Sequence, residues 1–359
     1  MSTVKVQNIQ HPSATSQAIT LAADGSVGVQ ANMGMKNKII NGNFDIWQRG
    51  TSVTGVTSGQ FVTDRFKTLI FGSTADVSRQ SFALGQTDVP NEPTYYHRTV
   101  VTSVAGSANY CQLQQRIESV RTLAGQTATV SFWAKADASK NIAVEFIQNF
   151  GSGGSPSSSV TAIEVTTCAL TASWQKFTVT VSIPSISGKT IGTNNDSFFS
   201  SVFYFDAGSD YNSRTNSLGQ QSGTFDIAQV QLEAGSVATP FEVRLPGVEL
   251  ALCQRYYQKS YPIDVSVGSV NFTGIIRTYS FSLNGVIWSF HLPVEMRATP
   301  SVASYSYSTG SSGNVRNDST STDISATASG MGSKTLQIVA TASAAQQQLA
   351  AHWTADAEL

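Results

Sequence analysis

From residue 36 to residue 245, apolar side chains recur at every second position in run after run, and no other feature constrains the fold as tightly. In Thr127–Lys135 (TATVSFWAK), Ala128, Val130, Phe132 and Ala134 face one way, and Thr129, Ser131 and Trp133 the other. Gln175–Ile183 sets Phe177, Val179, Val181 and Ile183 against Lys176, Thr178, Thr180 and Ser182. Ser197–Asp206 sets Phe199, Phe203 and Phe205 against Val202 and Tyr204. Tyr110–Ile117 turns Cys111, Leu113 and Ile117 inward and Gln112, Gln114 and Arg116 outward, and Thr224–Glu233 ends the series. A period of two belongs to strands with one buried face. Gly- and Ser-rich turns such as Gly151–Pro156 and Gly192–Asp196 separate the runs, with no helical pattern between them. The expectation is an all-β chain whose antiparallel sheets pack face to face as a jelly-roll β-sandwich.

Composition narrows the function classes. Charged residues make up 13%, against about 25% in ordinary soluble domains. The 22 basic and 23 acidic residues leave a net charge of −1. No Lys/Arg cluster is present to neutralise phosphates, which argues against a nucleic-acid partner. No apolar run reaches bilayer length, so membrane insertion is not expected. The opening MSTVKVQNIQ has neither the basic start nor the apolar core of a secretory leader. Cys111, Cys168 and Cys253 are widely spaced without a CxxC, and read as small buried groups in a chain made in a reducing cytosol.

Four segments follow from this pattern. Residues 1–35 hold only the short pieces Val4–Val6, Ala18–Leu21 and Val27–Val29, and read as an arm that needs a partner surface. Residues 36–245 are the sandwich. It opens with a first strand at Lys38–Ile40, a turn at Asn41-Gly42, and buried Phe44 and Trp47. Residues 246–262 carry a connecting helix over Pro246–Ser260, with Leu250, Cys253 and Tyr257 at helical spacing. Residues 263–359 form a smaller C-terminal β-sandwich. Its expected hairpin joins Gly274–Leu283 to Val286–Leu292 through Asn284-Gly285. Strands are also expected at Ser301–Tyr307, Leu336–Ala340 and Gln348–Thr354. Ser308–Ser333 is expected to be a long loop or weak strands.

Several blocks carry a family resemblance. NKIINGNFDIWQRG (37–50), FVTDRFK (61–67), QQRIESVRTLAGQTATVSFWAKA (114–136) and FDIAQVQLEAGSVATPFEVR (225–244) resemble a domain of tail-fibre and other virion surface proteins of tailed bacteriophages. CQRYYQKSY (253–261) and PVEMRATP (293–300) are similar to the segment closing such fibres. ITLAADGSV (19–27) resembles the N-termini of structural proteins from phages of marine bacteria and cyanobacteria. The NG-x-F opening also resembles carbohydrate-binding-module jelly rolls, which implies a sugar-facing surface.

No enzymatic constellation stands out. Asp64, Glu118, Glu145, Asp206, Asp210 and Glu233 are scattered and read as structural carboxylates rather than a glycosidase pair. His11, His97, His291 and His352 lack metal or triad spacing, and His291 reads as a satisfied structural histidine. Asp206–Asn212 offers oxygens for calcium but also fits an ordinary turn, so no metal and no cofactor is expected. The glycan-binding candidates are the outward polar and aromatic residues Gln112, Gln114, Arg116, Trp133, Tyr204 and Tyr211, with Tyr95-Tyr96-His97 as an alternative. Trp and Arg are equally typical of subunit interfaces, and packing against a second subunit is the favoured reading of that face. The resemblance implies a non-enzymatic virion protein, assembled in the host cytoplasm as a homotrimer. Its arm would dock another virion protein, and its β-domains would bind host-surface polysaccharide or lipopolysaccharide multivalently. The alternatives are a purely structural decoration or spike protein, or a glycan-degrading spike.

Overall fold

The computed structural model describes residues 35–280 and 286–359, together with three short strands nearer the start, Asn8–Ile9, Ile19–Leu21 and Val27–Val29. Those three pair antiparallel, with Thr20 opposite both Asn8 and Gly28. Val4–Val6 and the remainder of the expected arm lie outside the described residues, as does the Asn284-Gly285 turn.

The alternating runs form two six-stranded antiparallel sheets. Strand order in the first is Gln175–Ser182, Thr127–Ala136, Gly223–Ala234, Tyr95–Thr102, Thr74–Ser81, Ser52–Val53. The second runs Val160–Leu170, Lys140–Asn149, Phe198–Ala207, Tyr110–Glu118, Phe66–Phe71, Gln60–Phe61. Apart from the hairpins Gln60–Phe71, Thr74–Thr102 and Lys140–Leu170, successive strands fall in opposite sheets, so the chain crosses repeatedly between layers, as in a jelly roll. The inward residues of both sheets interleave in one core, where Phe132 of the first meets Phe203 of the second edge to face at 5.0 Å. Phe205 and Phe225 stack across the layers at 5.0 Å. Cys111, Cys168 and Cys253 are all buried and unpaired, and burial raises each thiol's pKa.

The opening segment departs from expectation. Lys38–Ile40 is not a strand, because its amides are taken separately. Lys38 N donates to Leu232 O at 2.8 Å, Ile39 N to Asn37 Oδ1 at 2.9 Å, and Ile40 N to Gln115 Oε1 at 2.7 Å. No adjacent strand supplies a row of carbonyls, so no ladder forms. Phe44 and Trp47 are buried in the main core, and Asn41 takes φ +60°. Gly42 is needed for close approach, since a Cβ there would run into the Val230 carbonyl oxygen. Gly42→Ala is expected to cost about 1–3 kcal/mol in thermal or urea unfolding. An unchanged midpoint would mean that the Val230 backbone moves aside freely.

The helix stops at Gln254, short of Ser260. Tyr257–Lys259 instead pairs with Thr354–Asp356, whose carbonyls and amides compensate the lost helical bonds. The expected hairpin's turn and its residues 281–283 lie outside the described residues, and its described parts pair with other strands. Ile276–Tyr279 pairs with Gln348–Ala351, and Val286–His291 pairs with Thr335–Ala340. Ser308–Ser333 contains the strands Asn314–Asn317 and Thr322–Gly330, whose Ile324, Ala326 and Ala328 lean on the second apolar cluster. Together these strands make one eight-stranded sheet around Gln348–Asp356, which pairs with four others. His291 is exposed, whereas His352 is satisfied, stacked on Tyr261 at 3.6 Å and bonded to Ser260 and Asn271. No helix among the described residues is long and apolar enough to cross a membrane.

A charged clamp joins this sheet to the sandwich. Arg65 pairs with Glu358, donates to Arg116 O at 2.6 Å, and lies 3.4 Å over the Tyr256 ring. Arg49 reaches Asp64, Asp356 and Glu358 while stacking on Tyr257 at 3.6 Å.

Candidate functional site

The outer face of the first sheet carries a groove built on a break in its alternation. Phe225 and Ile227 point inward, and then Val230 and Leu232 do, so one extra residue intrudes between Ile227 and Val230. The pairing with Thr127–Ala136 shifts there, between Ser131 and Trp133, and Gln229 takes φ +49°. Such a bulge re-aims a side chain at a small backbone cost. Gln229 Nε2 donates to Pro90 O at 2.6 Å, while its buried Oε1 has no partner among the described residues. A buried acceptor left unpaired invites a donor from outside.

That amide lies in a cavity of about 350 Å³ with Trp133, Lys176, Ser131, Pro240 and Phe241. Trp133 stands partly exposed, between Lys176 on one neighbouring strand and Ala228 on the other. A second cavity of about 400 Å³ continues from it, sharing Asn91 and Phe241. Asp45, Glu92, Tyr95 and Glu249 line the continuation. Burial raises the Asp45 carboxyl above its ordinary pKa, Glu249 adds to the effect, and a 2.9 Å bond from Asn43 opposes it. An aromatic ring, a lysine, an unpaired amide oxygen and carboxylates along one groove suit a ligand with an apolar face and many hydroxyls.

The six glycan-binding candidates, five from alternation and Tyr211 from its loop, do not converge. Trp133 belongs to the first sheet, and the other five to the outer side of the second. Gln112 stands opposite Tyr204, and both are buried. Gln114 is buried and donates to Ser200 at 2.8 Å. Tyr204 donates to Glu145 at 3.1 Å, and Glu145 also holds Arg214. Tyr211 is partly exposed but packs on Tyr110 at 4.8 Å, and Arg116 is partly exposed. In the Tyr95-Tyr96-His97 alternative, His97 is buried between Thr63 and Thr99. Gln229 and Phe241 were missed, and the three-residue step from Ile227 to Val230 was the signal for the first of them.

The scattered carboxylates are engaged structurally. Glu118 holds Arg255 and Tyr256, which outweigh its desolvation and lower its pKa. Asp206 accepts from Ser73, Ser103 and Gln221, and Glu233 from Thr239. Asp210 accepts from Ser107, and Asp64 accepts from Gln48. Among the described residues no group of three metal-ligating side chains occurs.

No family model and no curated protein matches the chain. Among solved structures, the enzymatically active domain of bacteriophage CBA120 tailspike protein 4 is similar over 56% of this chain at 13% identity and TM-score 0.33. The match spans only 22% of that tailspike chain. A family 61 carbohydrate-binding module in complex with β-1,4-galactotriose is similar over 55% of this chain and 99% of its own, at 12% identity and TM-score 0.28. The family 11 module from Clostridium thermocellum, in complex with a β-1,3-1,4-mixed-linked tetrasaccharide, covers 53% of this chain and 99% of its own, at 12% identity and TM-score 0.30. At scores this low the likeness adds nothing to the antiparallel sandwich described above.

Proposed function

We propose that this is a non-enzymatic surface protein of a tailed-phage virion, a tail fibre or comparable appendage, that binds host-surface polysaccharide or lipopolysaccharide. The observation that carries the reading is the groove in which partly exposed Trp133 stands beside the unpaired Gln229 amide. A flat ring accepts the apolar face of a sugar, and a buried amide oxygen selects a hydroxyl at fixed distance. We divide the chain into an attachment arm at 1–35, a binding sandwich at 36–245, a connector at 246–262 and a C-terminal β-domain at 263–359. In a homotrimer three such grooves would act together, raising effective concentration at a repetitive polysaccharide.

Trp133→Ala is expected to weaken binding to isolated host polysaccharide about tenfold, combining lost stacking with lost apolar contact. Titration calorimetry on the folded variant reads this directly. Light scattering on the same sample, beside a chain lacking residues 1–35, reads the oligomer. Loss of the oligomer with retained binding would favour the subunit-packing role for Trp133 and overturn the groove.

A further inference from the structure

Across the sandwich from Trp133 lies a guanidinium that no carboxylate among the described residues pairs with. Arg116 is partly buried on the outer side of the second sheet, with Cζ 4.4 Å over the Phe198 ring. Its Nε donates to the neutral Gln114 Oε1 at 3.3 Å, and among the described residues no carboxylate pairs with it. Of the neighbouring arginines, two hold carboxylates and one gives two of its donors to backbone carbonyls. Arg65 holds Glu358, and Arg255 holds Glu118. Arg297 gives Nε to Ala357 O at 3.0 Å and Nη1 to Asn195 O at 2.9 Å. Burial, and then the positive charge of Arg65, push Arg116 below the ordinary guanidinium pKa, as an uncompensated cation requires.

Arg116 and Arg297 line a cavity of about 460 Å³ with Asn149, Gly151, Ser152 and Asp196. The two side-chain acids at this cavity, which Leu359 also lines, already have partners. Asp196 accepts from Ser152 N at 2.7 Å and from Ser152 Oγ at 2.5 Å, and Glu358 is held by Arg49 and Arg65. A partly buried charge without a partner is unfavourable, and an incoming anion relieves it. The planar fork of a guanidinium matches carboxylate or phosphate oxygens in pairs, and the ring beneath keeps the fork in one plane.

We propose that this cavity binds an anionic group, the carboxylate of an acidic sugar or a phosphate, with Arg116 as principal donor and Arg297 as the second. The site lies on the opposite face from the Trp133 groove and does not depend on it.

The test follows arginine side-chain resonances of the full chain by 1H–15N spectroscopy during titration with glucuronate, inorganic phosphate or glucose. Both anions, or one of them, should shift the Arg116 and Arg297 signals, while glucose leaves them unmoved. The stronger anion identifies the source. Arg116→Gln should weaken anion binding about tenfold or more, Arg116→Lys by less, and Trp133→Ala not at all. Raising the salt concentration should weaken binding as well. If Arg116→Gln does not fold, Arg297→Gln takes its place and should weaken binding severalfold. Absence of any shift up to the solubility limit of both anions would overturn the proposal. So would equal shifts with glucose, or wild-type anion affinity in the folded Arg116→Gln protein.

Discussion

Arg65→Met should lower the unfolding free energy by about 3–5 kcal/mol, the range for removing one partner of a buried ion pair. The side chains of Arg65 and Glu358 are 1% and 5% exposed. Methionine keeps most of the volume over Tyr256 but strips Glu358 of its closest counterion and Arg116 O of its donor. Arg49 remains beside Glu358 at 3.3 Å, so the loss should fall short of a fully isolated charge. Replacing both residues, Arg65→Met with Glu358→Met, should recover much of the loss, because apolar substitutes of similar volume often equal a buried pair. Urea unfolding followed by tryptophan fluorescence measures all three proteins. A single substitution costing under 1 kcal/mol would show that the clamp is solvated.

Mild acid is the second large effect. His97 is buried, and desolvation pushes its pKa down to about 3 from an ordinary value of 6.5. Its Nδ1 lies 2.8 Å from the Thr63 hydroxyl and its Nε2 2.9 Å from that of Thr99. Phe44 and Trp47 rings lie at 5.5 and 6.0 Å. The unfolded chain takes up this proton below pH 6.5 and the folded chain does not until about pH 3. Stability is therefore full above 6.5 and declines through that window, by on the order of a few kcal/mol at its acid end. Asp64 works in the opposite direction, since burial raises its pKa and folding then favours its protonated form. Comparing wild type with His97→Gln at pH 7 and pH 4.5 isolates the histidine. The gap between the two proteins should narrow or reverse on acidification. A constant gap would place the proton on His97 in the folded state as well.

What could be read from the sequence was whatever repeats locally. Val130, Phe132 and Ala134 announced their face because a pleated strand enforces a period of two, and the sandwich followed from many such runs. The groove was half legible. Trp133 stood out on the polar side, but Gln229 looked inward under strict alternation, and only the bulge turns it out. Tyr204 is covered by Tyr211 and tied through Glu145 to Arg214, and Gln114 is held by Ser200 on the next strand, which no local pattern encodes. The clamp was invisible for the same reason. Arg49 and Glu358 are 309 residues apart, and nothing in either neighbourhood names the other. The helix was overextended because Tyr257 fits both helical spacing and a short strand, and Thr354–Asp356 decides between them.

Order of synthesis gives the Gln348–Asp356 strand a consequence of its own. The sandwich has every strand it needs once Ala234 has emerged from the ribosome, and Arg244 then fastens the opening segment through Asn37 and Ile39. Tyr257–Lys259, Ile276–Tyr279, Ser301–Tyr305 and Asn314–Asn317 must wait, since each pairs with a strand translated later than all of them. Pairings this remote form slowly, and unpaired edges in the interval invite association between nascent chains. Ser301 and Ser304 of the Ser301–Tyr305 strand and the polar Asn314–Asn317 strand keep those waiting edges compatible with water. The low hydrophobicity that gives Asn314–Asn317 the look of a loop is thus what allows its second edge to stay open until the central strand arrives.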